Sequence, residues 1–298
     1  MAPTITFLGE GTSTSLGTTL DSASITATAG RPLIVHFGTS NLVFDASAVT
    51  LDPTGTPQVF TRLEREQADD ANDCTGEVWV LDSPSTVTAI VRVTHQNNAS
   101  SRFVQVMEVT GHDTSTSTSW RDAMATPSIV TSGTTHEVTV TSAVGDLPLA
   151  FASIRQTSSA PNLTNNGDTT TVDNVLGGTT IRGRVLSGTG AASITLGGTT
   201  ASATQSVVMG FNVNAAAAGG GGVNLAARAQ AMLRAATRVS MRAARVAQLQ
   251  LAQAAQRAGA FYPGGTFGIS NGTGIVGGVS ASSDRHGASR LRRARRKR

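Results

Sequence analysis

The placement of arginine is the feature of this chain that most clearly points to chemistry. Residues 1–173 contain 18 acidic and 7 basic side chains, whereas residues 174–298 contain one acid, Asp284, and 16 basic side chains. A guanidinium group pairs with carboxylates and phosphates through a two-pronged set of hydrogen bonds. The split therefore predicts an acidic folded body and a basic segment that binds an acidic surface.

The predicted electrostatic anchor consists of two groups of arginines near the C-terminus. Its members are Arg234, Arg238, Arg242, Arg245, Arg290, Arg292, Arg293, Arg295, Arg296 and Arg298. Two partners fit these side chains: an acidic protein surface, including the body of a neighbouring copy, and the phosphates of a nucleic acid. No aromatic residue is interleaved with the terminal arginines and no nucleic-acid recognition fold precedes them, which favours protein contact.

One motif matches the residue pattern of a dinucleotide-binding fingerprint but lacks its structural context. Residues 272–277 read Gly-Thr-Gly-Ile-Val-Gly. That fingerprint requires a preceding strand, a following helix and an acidic residue about 20 positions later. Gly278, Val279 and Ser280 follow instead, without a helical pattern, so we predict a flexible arm here and no cofactor.

Metal-binding and catalytic residue patterns are weak. Asp69, Asp70, Asp73 and Glu77 form an acidic cluster that offers oxygen ligands to calcium, but their spacing fits no standard loop, and a solvated loop is the simpler interpretation. The five histidines are scattered, so no zinc site is predicted. No Gly-x-Ser-x-Gly motif is present and no pair of carboxylates is marked as facing each other. We therefore predict that the protein is not an enzyme.

The adjacent residues in the sequence predict where two tryptophans and one histidine lie in the fold. Trp79 lies in an apolar run and His36 alternates with apolar residues, so both are predicted in the core. Trp120 follows the Ser/Thr run 114–119 and is predicted in or beside a loop. An exposed loop tryptophan stacks well on sugars, which makes Trp120 the candidate glycan contact, although a partly buried loop anchor is the commoner case.

Residues 1–214 have the alternation and turn residues of a β domain. Val87–Thr94 alternates cleanly, and 103–109 is apolar on most of both sides. Strands bounded by Gly, Pro, Asn and Asp, with no helical stretch between them, predict an antiparallel β-sandwich. Further strands are placed near 4–8, 22–28, 32–37, 57–63, 77–81, 138–141, 147–154, 180–186, 191–196 and 206–213.

Two segments of this domain are predicted to lack strands. The acidic stretch from Glu64 to Thr75 is predicted as a loop or short helix, and the stretch 157–179 as a long exposed loop. The single cysteine, Cys74, forms no intrachain disulfide, and the chain contains no apolar run of membrane-spanning length. The first residues lack the basic and apolar regions of a secretory signal.

The composition changes after the β domain. Residues 215–222 form an Ala/Gly linker, 223–258 a long α-helix, and 259–298 a Gly/Ser-rich arm that ends in the arginine-rich tail. Leu225, Met232, Val239 and Val246 recur every seven residues, with alanines four positions after the first three. This seam predicts a helix that assembles a small homo-oligomer, such as a trimer.

Several strands also carry a family resemblance. Residues 76–81, 83–84, 87–93 and 106–111, followed by 137–147 and 207–213, resemble a β-sandwich module of tailed-phage virion proteins and bacterial surface proteins. The resemblance covers roughly 20–213 and implies a jelly-roll-like sandwich used for assembly or surface attachment. It carries over no functional residues.

Together these observations predict a structural protein of a bacteriophage particle, made in the host cytoplasm and located in the virion. Capsid decoration or cement protein, fibre and adaptor all fit. Its partners are expected to be other virion proteins and further copies of itself, with no membrane association. The alternative is a carbohydrate-binding tail or fibre adhesin that recognises a host glycan.

Overall fold

The computed structural model of the chain describes residues 2–40, 46–68, 74–99, 101–156, 162–177 and 180–216, with the backbone alone given at 96–99. Within these ranges the protein is mainly β, its strand pairs are antiparallel, and helices are absent. The predicted β class is therefore confirmed. The predicted helix at 223–258 and the arm at 259–298 lie outside the described residues, as does the linker from residue 217 onward.

The described ranges contain seventeen strands. In chain order they are β1 Thr4–Ser13, β2 Gly17–Asp21, β3 Ile25–Ala27, β4 Leu33–Ser40, β5 Ala46–Leu51, β6 Gln58–Val59, β7 Thr61–Gln67, β8 Cys74–Leu81, β9 Val87–Ala89, β10 Val91–Ala99, β11 Ser101–Thr110, β12 Ser128–Val140, β13 Leu147–Arg155, β14 Leu163–Asn165, β15 Thr170–Gly177, β16 Ile181–Ser187 and β17 Ile194–Val213.

Three sheets and one short ribbon account for these strands. The central sheet has the order β1-β11-β4-β8-β7, and the small sheet has the order β2-β10-β5-β6. The large sheet has the order β12-β17-β13-β16-β15, with β14 also paired to β17. The ribbon pairs β3 with β9.

The central sheet is buried on both faces, which explains its continuous apolar runs. All eight residues of β4 are buried, and successive side chains along a strand point to opposite faces. Leu33, Val35 and Phe37 accordingly pack with the small sheet, whereas Ile34 packs with the large sheet. The prediction that residues 103–109 are buried on both sides is confirmed in β11.

Two cores follow from this layering. The large-sheet core lies between the central and large sheets and includes Phe103, Met107, Trp120, Phe151, Met209 and Phe211. The small-sheet core lies between the central and small sheets and includes Phe37, Val49, Phe60, Trp79, Val93 and Val106. A third cluster covers the other face of the large sheet and includes Val138, Ala150, Ala152, Ile154 and Leu196.

Two predicted loops are wrong in part. Strand β7 continues through Glu64–Gln67, pairs with β8 and forms one edge of the central sheet, where charged side chains discourage pairing with a further strand. The predicted loop at 157–179 contains β14 and β15, which pair with β17 and β16. Their Thr, Asn and Asp residues give no alternating apolar signal, so pairing with neighbouring strands decides their conformation.

Strand boundaries differ from prediction at two further places. The single strand predicted at 87–94 is divided at Ile90 into β9 and β10, which belong to different layers. The two strands predicted at 191–196 and 206–213 belong to one 20-residue strand, β17. This long strand pairs with both halves of β12 and thereby reaches two parts of the large sheet.

Candidate functional site

The predicted functional residues fall into two sets with respect to the described chain. The seam Leu225, Met232, Val239 and Val246 lies outside the described residues, as do all the arginines of the anchor. Trp120 lies inside them, in the loop between β11 and β12, as predicted. Trp120 is therefore the predicted site residue whose surroundings the structure describes.

Trp120 is a buried loop anchor. Its side chain is 1% exposed, and its indole Nε1–H donates a hydrogen bond to Asp82 Oδ1 at 2.7 Å. The ring lies edge-on to Phe211 at 5.9 Å between centroids, and the Arg121 guanidinium lies 5.5 Å from its centroid. Since these groups cover the indole, the predicted stacking of a sugar on the Trp120 ring is not available in this conformation.

A polar cleft lies directly beside Trp120, and we call it the Trp120 cleft. Its volume is about 400 Å³. Three loops meet there: the one before β4, the one after β8 and the one after β11. Its lining residues are Gly30, Pro32, Asp82, Ser83, His112, Thr114, Thr116, Ser117 and Trp120.

The cleft contains one carboxylate and one imidazole, both with unused hydrogen-bonding capacity. Asp82 Oδ1 accepts the Trp120 hydrogen bond and lies 3.5 Å from Arg121 Nε, while Oδ2 takes part in neither contact. His112 is 8% exposed, and its Nδ1 has no hydrogen-bond partner among the described residues. Burial lowers the pKa of His112, against a smaller opposing effect of the Val109 backbone, so the imidazole is neutral at pH 7.

The loop that carries His112 and Trp120 is fixed by hydrogen bonds to the end of β17. The Asp113 N–H donates to the Asn214 carbonyl at 2.9 Å, and the Asn214 N–H donates to the Trp120 carbonyl at 2.8 Å. Inside the loop, the Ser119 hydroxyl donates to the Asp113 carbonyl at 3.2 Å. The cleft wall is therefore held in place before any ligand arrives.

A second cleft lies at the loops that follow β14 and β16. Its volume is about 550 Å³, and its lining is mostly glycine and small hydroxyl residues, with Asp168 as the charged side chain. Asp168 is exposed. Because this groove combines an exposed carboxylate with small residues and contains no buried unpaired polar atom, it is the weaker candidate site.

A buried chain of polar side chains crosses the large-sheet core. His36 Nδ1 lies 2.9 Å from Gln105 Oε1, and His36 Nε2 lies 3.1 Å from the Ser153 hydroxyl. Gln105 Nε2 donates in turn to Asp173 Oδ2. Residues His36, Gln105 and Ser153 are each 0% exposed, so this arrangement links sheets and offers no nucleophile to a substrate.

His36 is confirmed as a core histidine. Burial lowers its pKa to about 3 against a weaker effect of the Gln105 hydrogen bond, so the ring is neutral at physiological pH. Gln105 Nε2 donates to Asp173, which leaves Gln105 Oε1 to accept from His36 Nδ1–H. The Ser153 hydroxyl then donates to His36 Nε2.

Only one member of the predicted acidic cluster, Glu77, lies within the described residues. Asp69, Asp70 and Asp73 lie outside the described residues, whereas Glu77 is 0% exposed in the small-sheet core. Its Oε1 accepts from the Ala46 N–H at 2.9 Å and its Oε2 from Trp79 Nε1–H at 2.8 Å. Glu77 is therefore a buried structural carboxyl rather than part of a solvated loop. Trp79, 6% exposed, is in the core as predicted.

Asp82 and His112 are the functional candidates that sequence reasoning missed. Asp82 stands before Ser83-Pro84, a turn signal without chemical meaning of its own. His112 is followed directly by Asp113, but the two residues match no metal-ligand or catalytic motif. Only the meeting of three loops brings Asp82 and His112 together. Among the described residues, His, Cys, Asp and Glu form no group of three or more able to hold a metal ion.

Comparison with protein-family models, with curated proteins and with solved structures finds no match for this chain. None of the described segments is a helix long and apolar enough to cross a membrane. The functional argument therefore rests on the sequence and the structure of this chain.

Proposed function

We propose that the protein is a non-enzymatic structural component of a bacteriophage particle, with a jelly-roll-like β body and a C-terminal helix and arm that anchor it. The carrying observation is the separation of charge along the chain. Residues 1–216 contain 18 acidic side chains and 9 arginines, whereas residues 217–298 contain 14 basic side chains and one acid. Opposite charges of this kind favour contacts between copies and with other acidic virion proteins.

The contacts within the body support this charge argument. Arg92 pairs with Asp21, Arg31 with Glu108 and Arg121 with Asp82. Arg102, 2% exposed, donates to the backbone carbonyls of Gly17, Thr19 and Ser15. These four arginines are engaged within the body, and in residues 1–216 the 18 acids outnumber the nine arginines two to one, so the body has a net negative charge that suits a basic partner.

The first test compares the mass of the full chain with that of a chain ending at Ala216. That end point keeps the hydrogen bonds from the Ala215 N–H to Asp146 Oδ1 and from the Ala216 N–H to the Gly111 carbonyl. Light scattering should find the full chain oligomeric and the shortened chain monomeric. Two monomers would contradict assembly through the C-terminal segment.

Two variants separate the seam from the electrostatic anchor. Replacing Leu225, Met232, Val239 and Val246 by glutamine should abolish an oligomer held by an apolar seam at any salt concentration. Replacing the arginines of 290–298 by glutamine should mimic the effect of high salt, because screening weakens exposed charge pairs. An oligomer unchanged by both would contradict the proposed anchor.

The second candidate is a carbohydrate-binding tail or fibre adhesin. A specific observation favours it: the Trp120 cleft combines a carboxylate, a neutral imidazole and several hydroxyl groups next to an indole. Nucleic-acid binding by the arginine-rich tail is the third candidate, and it predicts a steep salt dependence of DNA affinity without sequence preference.

A further inference from the structure

We propose that the Trp120 cleft binds a neutral polyhydroxylated ligand, a sugar unit of a glycan. The proposal rests on the second candidate function, surface recognition, and does not depend on how the protein assembles. It assigns the recognition to Asp82, His112 and the hydroxyls of the loop after β11. Trp120 holds Asp82 in place and supplies an apolar wall.

The size and openness of the cleft suit a sugar. Its volume of about 400 Å³ falls within the range of roughly 300–1,000 Å³ that is typical of ligand pockets. The side chains of Ser83, Thr114, Thr116 and Ser117 are exposed along its walls. Hydroxyl groups both donate and accept hydrogen bonds, as sugar hydroxyls do, so the two surfaces can pair in several registers.

The buried imidazole is a second indication. His112 lines the cleft, its side chain is more than nine-tenths buried, and its Nδ1 makes no hydrogen bond of good geometry with the described residues, although the Val109 backbone lies close enough to affect its pKa. Native proteins seldom leave buried polar atoms unpaired. Because Nδ1 is covered in this conformation, one bound water is the simplest link between it and a ligand hydroxyl.

The charges in the cleft favour a neutral ligand. The charge of Asp82 is offset by Arg121, whose Nε lies 3.5 Å from Asp82 Oδ1, so the pair gives little advantage to either an anionic or a cationic ligand. What remains is a carboxylate oxygen, Oδ2, ready to accept hydrogen bonds from hydroxyl groups; such charge-assisted bonds are the stronger kind.

The cleft is also organised in advance. Trp120 Nε1–H fixes one oxygen of Asp82, and the end of β17 fixes the backbone on both sides of the loop through Asp113 and Trp120. Rigid sites lose less conformational entropy when a ligand binds. A preformed cleft can therefore bind a sugar through contacts that are individually weak, because less of their free energy is spent on ordering the protein.

The test uses the full-length protein on an array of neutral glycans, at a salt concentration high enough to screen the basic tail. The affinity for each neutral glycan that binds is then measured by calorimetry for the wild type and three variants. Asp82→Asn keeps an oxygen for Trp120 and replaces the other carboxylate oxygen by an amide. The pair Thr114→Val with Thr116→Val removes two exposed hydroxyls with little change of shape. Asp168→Asn is the matched control in the second cleft.

We expect selective binding of at least one neutral glycan, about tenfold weaker in Asp82→Asn and several-fold weaker in the double threonine variant, with no change in Asp168→Asn. Thermal unfolding confirms that each variant is folded. The proposal is overturned if no neutral glycan binds, if binding survives both cleft variants, or if Asp168→Asn is the variant that loses it. Binding confined to acidic glycans overturns it too, since the basic tail explains that result.

The same variants keep this proposal separate from the assembly function. Asp82→Asn and the threonine variants should leave the light-scattering mass of the full chain unchanged, because none of them lies in the C-terminal segment. A protein that assembles but binds no neutral glycan overturns the cleft proposal alone. A monomer that binds sugar through Asp82 overturns the assembly proposal alone.

Discussion

The two faces of the central sheet bury polar side chains in different ways. Toward the large sheet, His36, Gln105 and Ser153 form a chain of hydrogen bonds that ends at Asp173, and burial keeps the imidazole neutral. Toward the small sheet, Glu77 places a single carboxyl in the core, where it accepts hydrogen bonds from Ala46 and Trp79.

This difference makes one interface insensitive to pH near neutrality and the other sensitive. The hydrogen bonds among His36, Gln105 and Ser153 match donors with acceptors while the imidazole is neutral, so these three side chains bury no charge. Burial raises the pKa of Glu77 to about 7, against opposing effects of its hydrogen bonds to Ala46 and Trp79 and of the charges on Arg62 and Arg65. The small-sheet core thus gains a buried charge within the physiological pH range.

The largest effect is expected from removing an aromatic ring in the large-sheet core. Phe151 is fully buried, stacks on Phe211 at 5.6 Å and lies edge-on to His36 at 5.7 Å. Phe151→Ala should lower the free energy of unfolding by about 3–5 kcal/mol through the cavity it leaves. Urea denaturation measures this change.

Two control variants show whether removal of a buried ring lowers the free energy of unfolding equally in the two cores. Phe37→Ala in the small-sheet core should cost a similar amount, since Phe37 is also fully buried and stacks on His95 at 6.0 Å between ring centroids. Val144, 93% exposed, should change stability by less than about 0.5 kcal/mol when replaced by alanine. A Phe151→Ala loss as small as that of Val144→Ala would contradict the described core.

Glu77→Gln should have the next largest effect, and its size depends on pH. The amide has one oxygen for the two N–H donors of Ala46 and Trp79, so it loses one hydrogen bond at every pH, but it never ionises. Because the folded-state pKa is raised from 4.5 to about 7, protonated Glu77 contributes stability that is fully present below pH 4.5 and is lost as the pH rises through about 7. The loss is on the order of 3 kcal/mol. Relative to wild type, the glutamine variant should therefore gain stability between pH 5 and pH 8.

Unfolding measured across that pH range tests the comparison directly. Subtracting the two stability curves isolates Glu77 from His36, whose lowered pKa acts in the opposite direction as the pH falls below 6.5. If the free energy of unfolding varied with pH in the same way for wild type and Glu77→Gln, ionisation of Glu77 would not destabilise the folded protein, and the proposed pH sensitivity would be wrong.

The smallest effect is expected from shortening the polar chain. Ser153→Ala removes the hydroxyl that donates to His36 Nε2 and leaves a buried acceptor unpaired, at a cost of about 1–3 kcal/mol. Thr26→Val is the matched control, since it breaks an exposed hydroxyl pair with Thr88 and should cost less than about 0.5 kcal/mol. Urea denaturation at pH 7 measures both losses. Equal losses of unfolding free energy in the two variants would show that the buried hydrogen bond to His36 stabilises the protein no more than an exposed hydroxyl pair does.

Apolar periodicity predicted the inner strands of the central sheet well and several strands of the other two sheets poorly. The runs at 32–37, 77–81 and 103–109 are found in β4, β8 and β11, because burial on both faces requires uninterrupted apolar side chains. Strands β2, β5, β14 and β15 escaped prediction. Strands β2 and β15 are largely polar, β14 has three residues and β5 has six, and hydrogen bonds to a neighbouring strand hold each of them in place.

The candidate site was less predictable than the fold. The sequence correctly placed Trp120 in a loop but gave no measure of its burial, which depends on Phe211 and Arg121 packing around it. Asp82 and His112 are 30 positions apart and carry no shared motif. Their proximity depends on the stacking of sheets, which brings loops from separate strands to one end of the body.

The sequence by itself determined the β class, the identity of the most deeply buried strands and the separation of an acidic body from a basic tail. These properties follow from local alternation and from residue counts, which need no knowledge of long-range contacts. Tertiary structure alone decided the three-sheet layering, the edge strands, the isolation of Glu77 in the core and the assembly of the Trp120 cleft. Each of these depends on which distant segments meet, and side-chain periodicity does not encode that choice.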